Sequence, residues 1–329
     1  MKKVTVVIPN WNGIQFLKTC MDSLMRQDSD DFEILMVDNA SADDSVSFVR
    51  ENYPSVRILE NAENLGFSGG VNVGIHATET PYVLLLNNDV EVETHFVSGL
   101  LNAMESDERI FSVSARMVNF RERELLDDCG DLYTVFGWQA QRGVGQRVDN
   151  PKYLKPAKVF SACGGAALYR MSALQETGLF DEQHFAYLED IDIGYRGLLY
   201  GYRNAYCPDA VVYHIGSAAS GAVKYSDFKV KLSARNSVYL YYKNMPLFQR
   251  VLNALPLFLG RAVKARFFKK RGFGDAYLAG VKEGFATRKT TKKVLFQWKR
   301  FFRYFYIEGL LIKNTFVYFS EYIGRHSGK

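Results

Sequence analysis

A hydrophobic run that ends on amides and a carboxylate is the first stretch of this sequence with an evident chemical use. Five mostly apolar residues, "YVLLL" (82–86), are followed directly by Asn87, Asn88 and Asp89. Mg²⁺ and Mn²⁺ take oxygen ligands and often join a protein carboxylate to substrate phosphates. We therefore predict that Asp89 binds a divalent cation and that Asn88 supplies a carbonyl oxygen or bonds a ribose. A plain turn after a strand is the alternative.

A second acidic segment, "LEDID" (188–192), stands where the pattern predicts the start of a helix near Glu189. A carboxylate there can take a proton from a hydroxyl group, and Asp190 is the strongest candidate for such a base. The helix N-terminus would keep this carboxylate ionised. Burial by Tyr187 and Phe185 would raise its pKa. The sequence leaves the balance between these two effects open.

The same predicted helix carries three glycines on the face of the candidate base, namely Gly194, Gly197 and Gly201. Each glycine costs a helix interior about 0.8–1.0 kcal/mol relative to alanine. Three on one face therefore predict a close approach, either by the wall of an active site or by a tightly packed strand. Asp192 and Arg196 lie four residues apart, which predicts an ion pair on the helix surface.

Three further segments have both a chemical and a structural explanation. Asp38 follows a strand-like run and could bond a nucleobase or ribose, or could close an Asx turn. The glycine-rich segment 64–75 runs into a helix and could admit a phosphate, or could simply ease helix–sheet packing. His214 ends an apolar run and is either a metal ligand or a structural histidine.

The elements that must position these residues alternate along the first hundred residues. Strand-like runs at 4–8, 33–37, 56–60 and 82–86 are separated by helical patterns at 14–26, 43–51, 69–77 and 94–106. Such alternation predicts a mainly parallel sheet with helices on both faces. Ligands bind beyond the carboxyl ends of such strands. The loops after Ile8, Val37 and Leu86 should therefore converge.

The rest of the first 244 residues is less regular. We predict strands and loops over one edge of the sheet at 107–160, and a strand at 159–170 interrupted by Gly164 and Gly165. A further helix is predicted at 225–244.

Charge divides the chain into two parts. Residues 245–329 carry 18 Lys and Arg against 4 Asp and Glu, whereas residues 1–244 carry 23 against 32. The basic part interleaves cations with aromatic and aliphatic residues, which is typical of amphipathic helices lying on an anionic membrane surface. A soluble helical cap is the alternative, and nucleic-acid binding is disfavoured because no nucleic-acid module accompanies the charge.

Targeting segments and cysteine chemistry are not expected. The N-terminal "MKKVTVVIPN" lacks a cleavable signal pattern, and no apolar stretch reaches the 18 residues of a spanning helix. The four cysteines, without CxxC spacing, predict reduced thiols in the cytoplasm rather than a zinc site or disulfides.

Taken together, these motifs resemble inverting family 2 glycosyltransferases, particularly bacterial rhamnosyltransferase-like members. The resemblance implies the GT-A fold, an α/β architecture with a Rossmann-like mixed, mainly parallel sheet and flanking helices. It covers about two thirds of the chain and rests on seven segments in order: "VVIPNWNG" (6–13), "VDNASADDS" (37–45), "NLGFSGGVNVGI" (64–75), "LLLNNDVEV" (84–92), "GGAALYR" (164–170), "FDEQHFAYLEDIDIGYR" (180–196) and "HIGS" (214–217).

The resemblance implies roles for individual residues. Asp190 would be the general base, with Glu189 beside it, and Asp89 and His214 would bind Mg²⁺ or Mn²⁺. We place Gly164, Gly165 and Arg235 at the acceptor. The donor-binding residues would be Pro9, Asn12, Asp38, Asn64, Gly66, Gly69, Asn88 and Asp89.

Two departures from the family pattern matter. The metal motif reads Asn-Asn-Asp, so it holds one carboxylate, which implies modest metal affinity. The QxxRW motif of processive synthases is absent, which favours the addition of one sugar or a few.

The predicted enzyme moves rhamnose or a similar hexose from a dTDP- or UDP-sugar to a glycan acceptor. That acceptor would be lipid-linked, in cell-surface polysaccharide assembly at the cytoplasmic face of the membrane. We divide the chain into a catalytic domain at 1–244, with a nucleotide-binding half (1–106) and an acceptor-binding half (107–244), and a helical region at 245–329. A sugar nucleotidyltransferase and a non-catalytic nucleotide-sugar scaffold are the alternatives. A dehydrogenase is disfavoured, since the first strand–helix turn lacks GxGxxG.

Overall fold

A computed structural model describes residues 2–216 and 225–326 of the chain. Twelve strands lie in these two ranges. They are β1 (Val4–Asn10), β2 (Phe32–Asp38), β3 (Arg57–Glu60), β4 (Tyr82–Leu86), β5 (Val90–Val92), β6 (Ile110–Asn119), β7 (Leu126–Asp128), β8 (Asp131–Tyr133), β9 (Gln139–Gln141), β10 (Ala157–Val159), β11 (Ala166–Arg170) and β12 (Arg203–His214).

Eleven α-helices lie in the same described ranges. They are α1 (Ile14–Leu24), α2 (Ser45–Asn52), α3 (Gly66–His76), α4 (Phe96–Glu105), α5 (Met171–Thr177), α6 (Glu189–Tyr200), α7 (Asp227–Asn244), α8 (Leu247–Leu252), α9 (Ala254–Lys269), α10 (Gly274–Thr287) and α11 (Phe301–His326). A short 3₁₀ helix, Glu182–His184, precedes α6.

A mixed ten-stranded sheet forms the centre of the fold, with the order β10-β12-β6-β11-β4-β1-β2-β3 along its main path. The pairs β1–β2, β1–β4 and β2–β3 are parallel, as the alternation of strands and helices predicted. The strand β11 pairs antiparallel with both β4 and β6. Because β1, β2 and β4 run in one direction, their carboxyl ends meet at one edge of the sheet.

The strand β6 lies inside the sheet, between β12 and β11, and not over its edge. Two serines in "IFSVSARMVN" obscure the strand in the sequence, since both are fully buried. Ser112 satisfies its hydroxyl by donating to Asn204 Oδ1 at 2.8 Å. A buried polar side chain of this kind is tolerated because it has a partner.

Helices cover both faces of the sheet, as the alternation predicted. On one face, Val6 and Ile8 of β1 join a core with α1 and α4, whereas Val7 joins a second core on the other face with α3 and α5. Each strand thus contributes alternate side chains to the two cores, since successive strand residues point to opposite faces.

The C-terminal helices pack against the second half of the fold. Tyr304, Ile307 and Leu311 of α11 share a buried cluster with Ile191 and Leu198 of α6. The helix α10 packs along α7. Among the described helices, none combines the length and the apolar character that crossing a membrane requires.

The glycines of α6 mark close protein packing. A Cβ at Gly194 would lie 2.3 Å from Ser161 Cβ, and one at Gly197 would lie 2.8 Å from the Phe111 ring. Gly201 ends the helix in a left-handed conformation at φ 98°. Of the two explanations given by the sequence, the tightly packed strand accounts for Gly197, which meets β6, whereas Gly194 meets the segment that follows β10.

We expect Gly194→Ala to destabilise the protein by about 1–3 kcal/mol, because the added methyl group overpacks against the backbone of Ser161. Gly309 is the matched control, since it lies in α11 with open space around its Cβ position. Gly309→Ala should stabilise by up to roughly 1 kcal/mol through helix propensity. Urea unfolding checks both, and equal effects of the two variants would contradict the packing argument.

Candidate active site

Three strand ends converge on one asparagine. Asn10, at the end of β1, donates from Nδ2 to Asp38 Oδ1 at 2.9 Å and accepts from Asn88 Nδ2 at 2.7 Å. Its side chain is buried together with those of Asp38, Asn88 and Asp89. The predicted convergence of the loops is confirmed, and Asn10 is a residue that the sequence analysis missed within "PNWNG".

The loop after β2 fixes the carboxylate of Asp38. Ser41 donates to it from both its hydroxyl, at 2.6 Å, and its backbone N–H, at 2.9 Å. Asn12, with φ 49°, joins the first loop to the second by accepting from Ala42 N at 2.8 Å. The Asx turn and a ligand role for Asp38 are therefore compatible, since a carboxylate held by a turn is also oriented for a ligand.

The glycine-rich segment contacts the loop before α6. Gly66 has φ 70°, and its N–H donates to Asn64 Oδ1 at 2.8 Å. A Cβ at Gly66 would lie 2.5 Å from Phe185 O, whereas one at Gly69 would meet Leu65 of the same segment. The glycine at position 66 therefore lets the first half of the fold touch the segment that carries the candidate base.

Asp89 and His214 face each other across strands β5 and β12. His214 Nε2 lies 3.5 Å from Asp89 Oδ1, and its Nδ1 lies 2.7 Å from Asp127 Oδ2. A histidine held by a carboxylate on one nitrogen and aimed at a second carboxylate with the other is typical of a metal ligand. The residues present therefore fit a divalent cation. The last residue of the "HIGS" motif, Ser217, lies outside the described residues.

Without a cation, two acidic neighbours set the pKa of His214. Burial alone would lower its pKa, but the hydrogen bonds to Asp127 and Asp89 outweigh burial and raise the pKa of His214 to about 10. Asp127 is a further residue that the sequence analysis missed, since its strand is only three residues long.

Asp190 begins α6 after a strained turn. Phe185, Tyr187 and Leu188 all have positive φ angles, between 62° and 72°. Such backbone conformations are costly for residues other than glycine and cluster at functional sites. Asp190 Oδ1 accepts from the N–H of Ile191 at 2.7 Å.

Burial decides the balance that the sequence left open. Asp190 is 8% exposed, and burial raises its pKa although backbone N–H groups of Ile191 and Gly164 oppose the rise. Burial and the neighbouring Asp190 raise the pKa of Glu189 to about 8. Both acidic groups therefore titrate closer to neutral pH than exposed carboxyl groups do.

Two adjacent glycines connect the base to the metal side of the site. Gly164 donates its N–H to Asp190, and Gly165 O accepts from Asn87 N at 2.9 Å. Asp190 and the Asn87–Asp89 segment thus lie at the same end of the sheet.

A buried acidic group lies beside the base. Ligand atoms of Asp128, Asp131 and Cys163 lie within 4.8 Å of one another. Burial raises the pKa of all three groups well above the usual values, which favours their protonated forms when no cation is bound. The predicted cation stays with Asp89 and His214, because His214 Nδ1 is held by Asp127 while its Nε2 faces Asp89.

Asp192 and Arg196 pair in the interior, so the predicted surface location was wrong. Both side chains are at most 4% exposed, and Arg196 lies 3.0 Å from Asp192 Oδ2. Lys243 of α7 approaches the same oxygen at 2.9 Å. Burial alone would raise the pKa of Asp192, but Lys243 and Arg196 hold it well below the usual value. The reason is that α6 is enclosed on all sides, by the sheet, α7 and α11.

The segment before α6 is held by α7. Asn236 donates from Nδ2 to the backbone oxygens of His184, Ala186 and Tyr187, each at 2.8 Å. Arg235 donates to Gln183 O at 2.9 Å and pairs with Glu283 of α10 at 3.3 Å. The predicted contact of Arg235 with the acceptor stays a prediction.

The sheet order and the convergent strand ends, with the buried carboxylate of Asp190 beside them, are those of a GT-A glycosyltransferase. The family model for glycosyl transferase family 2 matches residues 5–178. The chain belongs to this family, and it is a transferase rather than a sugar nucleotidyltransferase or a non-catalytic scaffold.

Relatives and solved structures agree with this assignment. The chain is 28% identical over 214 residues to N-acetylglucosaminyl-diphospho-decaprenol L-rhamnosyltransferase of Mycobacterium tuberculosis, covering 57% of this chain and 68% of the relative. It is 24% identical over 195 residues to the poly(ribitol-phosphate) beta-glucosyltransferase of Bacillus spizizenii, covering 57% of this chain but only 28% of that protein.

Two solved structures share the fold. A mannosyltransferase from Pyrobaculum calidifontis, in complex with GDP-Man and Mn²⁺, superposes with a TM-score of 0.56 at 16% identity, covering 86% of this chain and 87% of that one. The TarS 1–349 fragment of S. aureus with UDP-GlcNAc gives 0.54 at 17% identity, covering 81% and 73%.

The two neighbouring acids of α6 should respond oppositely to loss of charge. We expect Asp192→Asn to destabilise by about 3–5 kcal/mol at neutral pH, because Arg196 loses its buried carboxylate partner and Lys243 loses one of two, keeping Asp181. Asp190→Asn should keep the free energy of unfolding at or above the wild-type value, because the substitution removes a charge that burial disfavours. Urea unfolding compares them.

The pH dependence of the free energy of unfolding supplies a control for the ion pair of Asp192. Since the pKa of Asp192 is depressed in the folded state, its contribution is present above the unfolded pKa, about 3.9, and is lost at lower pH. The destabilisation by Asp192→Asn should therefore shrink as the pH falls below about 4. A constant difference across that range would contradict the assignment.

Proposed function

We propose that this protein transfers a single sugar from a nucleoside diphosphate sugar to an acceptor hydroxyl, with inversion at the anomeric carbon. One observation carries the proposal. A buried carboxylate, Asp190, and a carboxylate–histidine pair, Asp89 and His214, stand at the same sheet end as the nucleotide-side residue Asp38.

Asp190 acts as the general base. Its raised pKa brings the carboxylate nearer to the operating pH, which improves proton acceptance from a hydroxyl group in the transition state. A base that works from the side opposite the leaving group produces inversion. The backbone N–H groups of Ile191 and Gly164 keep the carboxylate oriented while it waits for the acceptor.

The donor binds along the strand ends of the first half. Asp38 accepts hydrogen bonds from the base or ribose, and Asn12, Pro9 and Asn88 line the same side. Asn64, Gly66 and Gly69 border the diphosphate. Asp89 and His214 would hold a divalent cation, Mg²⁺ or Mn²⁺, which would neutralise charge on the departing diphosphate.

The donor and acceptor are drawn from the relatives. A dTDP-sugar or a UDP-sugar, with rhamnose or a similar hexose, is the proposed donor, because one relative is a rhamnosyltransferase and one structural neighbour binds UDP-GlcNAc. The same relative is named for a diphospho-decaprenol acceptor. A lipid-linked glycan is therefore the proposed acceptor, with Gly164 and Gly165 beside it.

The C-terminal helices hold the enzyme against an anionic membrane surface at the cytoplasmic face. The faces of α8–α9 and α11 adjoin, since the rings of Phe248 and Phe305 stack 5.9 Å apart. Together with the turn before α11, they expose a series of large apolar side chains, each more than 60% exposed: Leu247, Val251, Leu252, Leu255, Phe258, Trp298, Phe302 and Phe316. Residues 245–329 also carry 18 Lys and Arg, and each contributes about 1 kcal/mol near an anionic surface.

Asp190→Asn tests the chemistry. We expect transfer to fall by about 10²–10⁴-fold, the usual contribution of a general base, whereas donor binding stays at the wild-type level. Transfer to a synthetic polyprenyl-linked acceptor measures the first quantity. Thermal shifts with a panel of nucleoside diphosphates, with and without Mn²⁺, measure the second. Undiminished turnover would reassign the base, and equal shifts for all nucleotides would remove the donor proposal.

Trp298→Ser with Phe302→Ser tests the membrane surface. Each aromatic side chain that enters the interface contributes about 1.5–3 kcal/mol, so the double variant should float with anionic phosphatidylglycerol vesicles at least tenfold less than wild type. Leu154→Ser is the control, because Leu154 is 46% exposed but lies outside the basic region. Equal flotation of all three proteins would leave the helices as a soluble cap.

A further inference from the structure

Asp131, the first residue of β8, lies against the base although no motif pointed to it. Its side chain is fully buried. Its N–H donates to Ser161 O at 2.9 Å, and Ser161 packs against Gly194 of α6, one turn beyond Asp190. A side-chain hydrogen bond between the two carboxyl groups raises the pKa of Asp131 and lowers that of Asp190. Asp131 Oδ1 accepts from Gln139 Nε2 at 2.9 Å. Asp131 Oδ2 has no donor among the described residues. Two ionised carboxylates offer only acceptors, so their contact requires a proton between them.

The surroundings decide which carboxyl group holds that proton. Asp190 accepts N–H groups from Ile191 and Gly164 and lies in the first turn of α6, all of which favour its ionised form. Asp131 lies deeper and receives one neutral donor.

Four acidic groups interact with Asp131. They are Asp190 on α6, Asp128 on β7, Cys163 before β11 and Tyr169 on β11. Burial, then the charge of Asp190, raises the pKa of Asp131 well above the usual value. The proton therefore resides on Asp131.

We propose that Asp131 is a positioning residue that stays protonated and donates a hydrogen bond from its carboxyl group to Asp190. This inference rests on the proposed function, since it assigns the base a fixed orientation and a stabilised charge. The neutral acid offsets part of the burial that disfavours ionised Asp190. The base thereby stays ionised inside a closed site, ready to accept the proton of the acceptor hydroxyl, and Asp131 keeps its own proton throughout.

Asp131→Asn and Asp131→Leu test whether position 131 acts as a neutral hydrogen-bond donor or as a charged group. The amide of Asn keeps both bonds, since its oxygen accepts from Gln139 and its NH₂ donates to Asp190. The Leu side chain keeps neither. Asp128→Asn is the matched control, because Asp128 is equally buried and acts on Asp190 only through space.

Transfer kinetics give the first readout. Asp131→Leu should lose kcat by about 10²-fold, the scale of a misplaced catalytic group, with the donor KM unchanged. Its acid limb of kcat/KM should move to higher pH, because Asp190 has lost a donor that lowers its pKa. Asp131→Asn should lower kcat by less than about tenfold and keep the acid limb of kcat/KM near its wild-type pH. Asp128→Asn should not move the acid limb of kcat/KM. Equal losses in Asn and Leu variants would overturn the proposal.

Stability against pH gives a second readout that needs no activity. Wild-type folding takes up a proton at Asp131 once the pH exceeds the unfolded pKa, about 3.9, so wild-type stability falls with rising pH relative to Asp131→Asn. The Tm advantage of Asp131→Asn should therefore widen between about pH 5 and about pH 8. Parallel Tm curves for wild type and Asp131→Asn would contradict the protonation of Asp131. Full turnover by Asp190→Asn would contradict the assignment of Asp190 as the base, and it would leave these curves unaffected.

Discussion

Burial of acidic side chains at one end of the sheet is the constraint on which the site depends. Seven acids among the described residues are at most 8% exposed there, and each must be paired with a cation, bonded to donors or protonated. They are Asp38, Asp89, Asp128, Asp131, Glu189, Asp190 and Asp192. Different acids in this group are stabilised in different ways. Asp192 is neutralised by Arg196 and Lys243, Asp89 faces His214, and burial raises the pKa of Asp128, Asp131 and Glu189. Asp190 stands between these groups, with a raised pKa and two backbone donors, which is the condition that a buried base requires.

Amide side chains join the strand ends without adding charge. Asn10 bridges Asp38 and Asn88, and Asn39 links Gly66 to Asn61. An amide both donates and accepts, so it can satisfy a carboxylate on one side and another amide on the other. This arrangement orients the carboxylate of Asp38 without placing a second charge beside it. It also explains Gly13, where a Cβ would lie 2.1 Å from Asn88 Nδ2.

The sequence predicted the parts of the fold that have a local signature. The runs at 4–8, 33–37 and 82–86 became β1, β2 and β4, and the acids at 189 and 190 begin α6. The strands predicted at 107–160 were expected over one edge of the sheet, but β6 lies inside it. Its buried serines interrupt the apolar pattern, and the partner of Ser112 comes from the distant strand β12. The surface location of Asp192 was wrong for a similar reason, since only the packing of α7 reveals a third partner. Asp127 and Asp131 lie on three-residue strands, too short for any periodicity to be read.

The strained turn before α6 connects the C-terminal helices to the base. Residues at positive φ cost free energy, so the surrounding structure must hold them in place. Asn236 of α7 does so with three hydrogen bonds to the turn. The helix α7 is itself fixed by α10, whose Gly280 would place a Cβ 2.1 Å from Lys231 O and whose Gly284 would place one 2.8 Å from Arg235 O. On the proposed membrane contact, the helices that meet the lipid and the turn that aims Asp190 therefore belong to one packed unit. An enzyme built in this way would present its base at a fixed height above the surface, which suits an acceptor anchored in that surface.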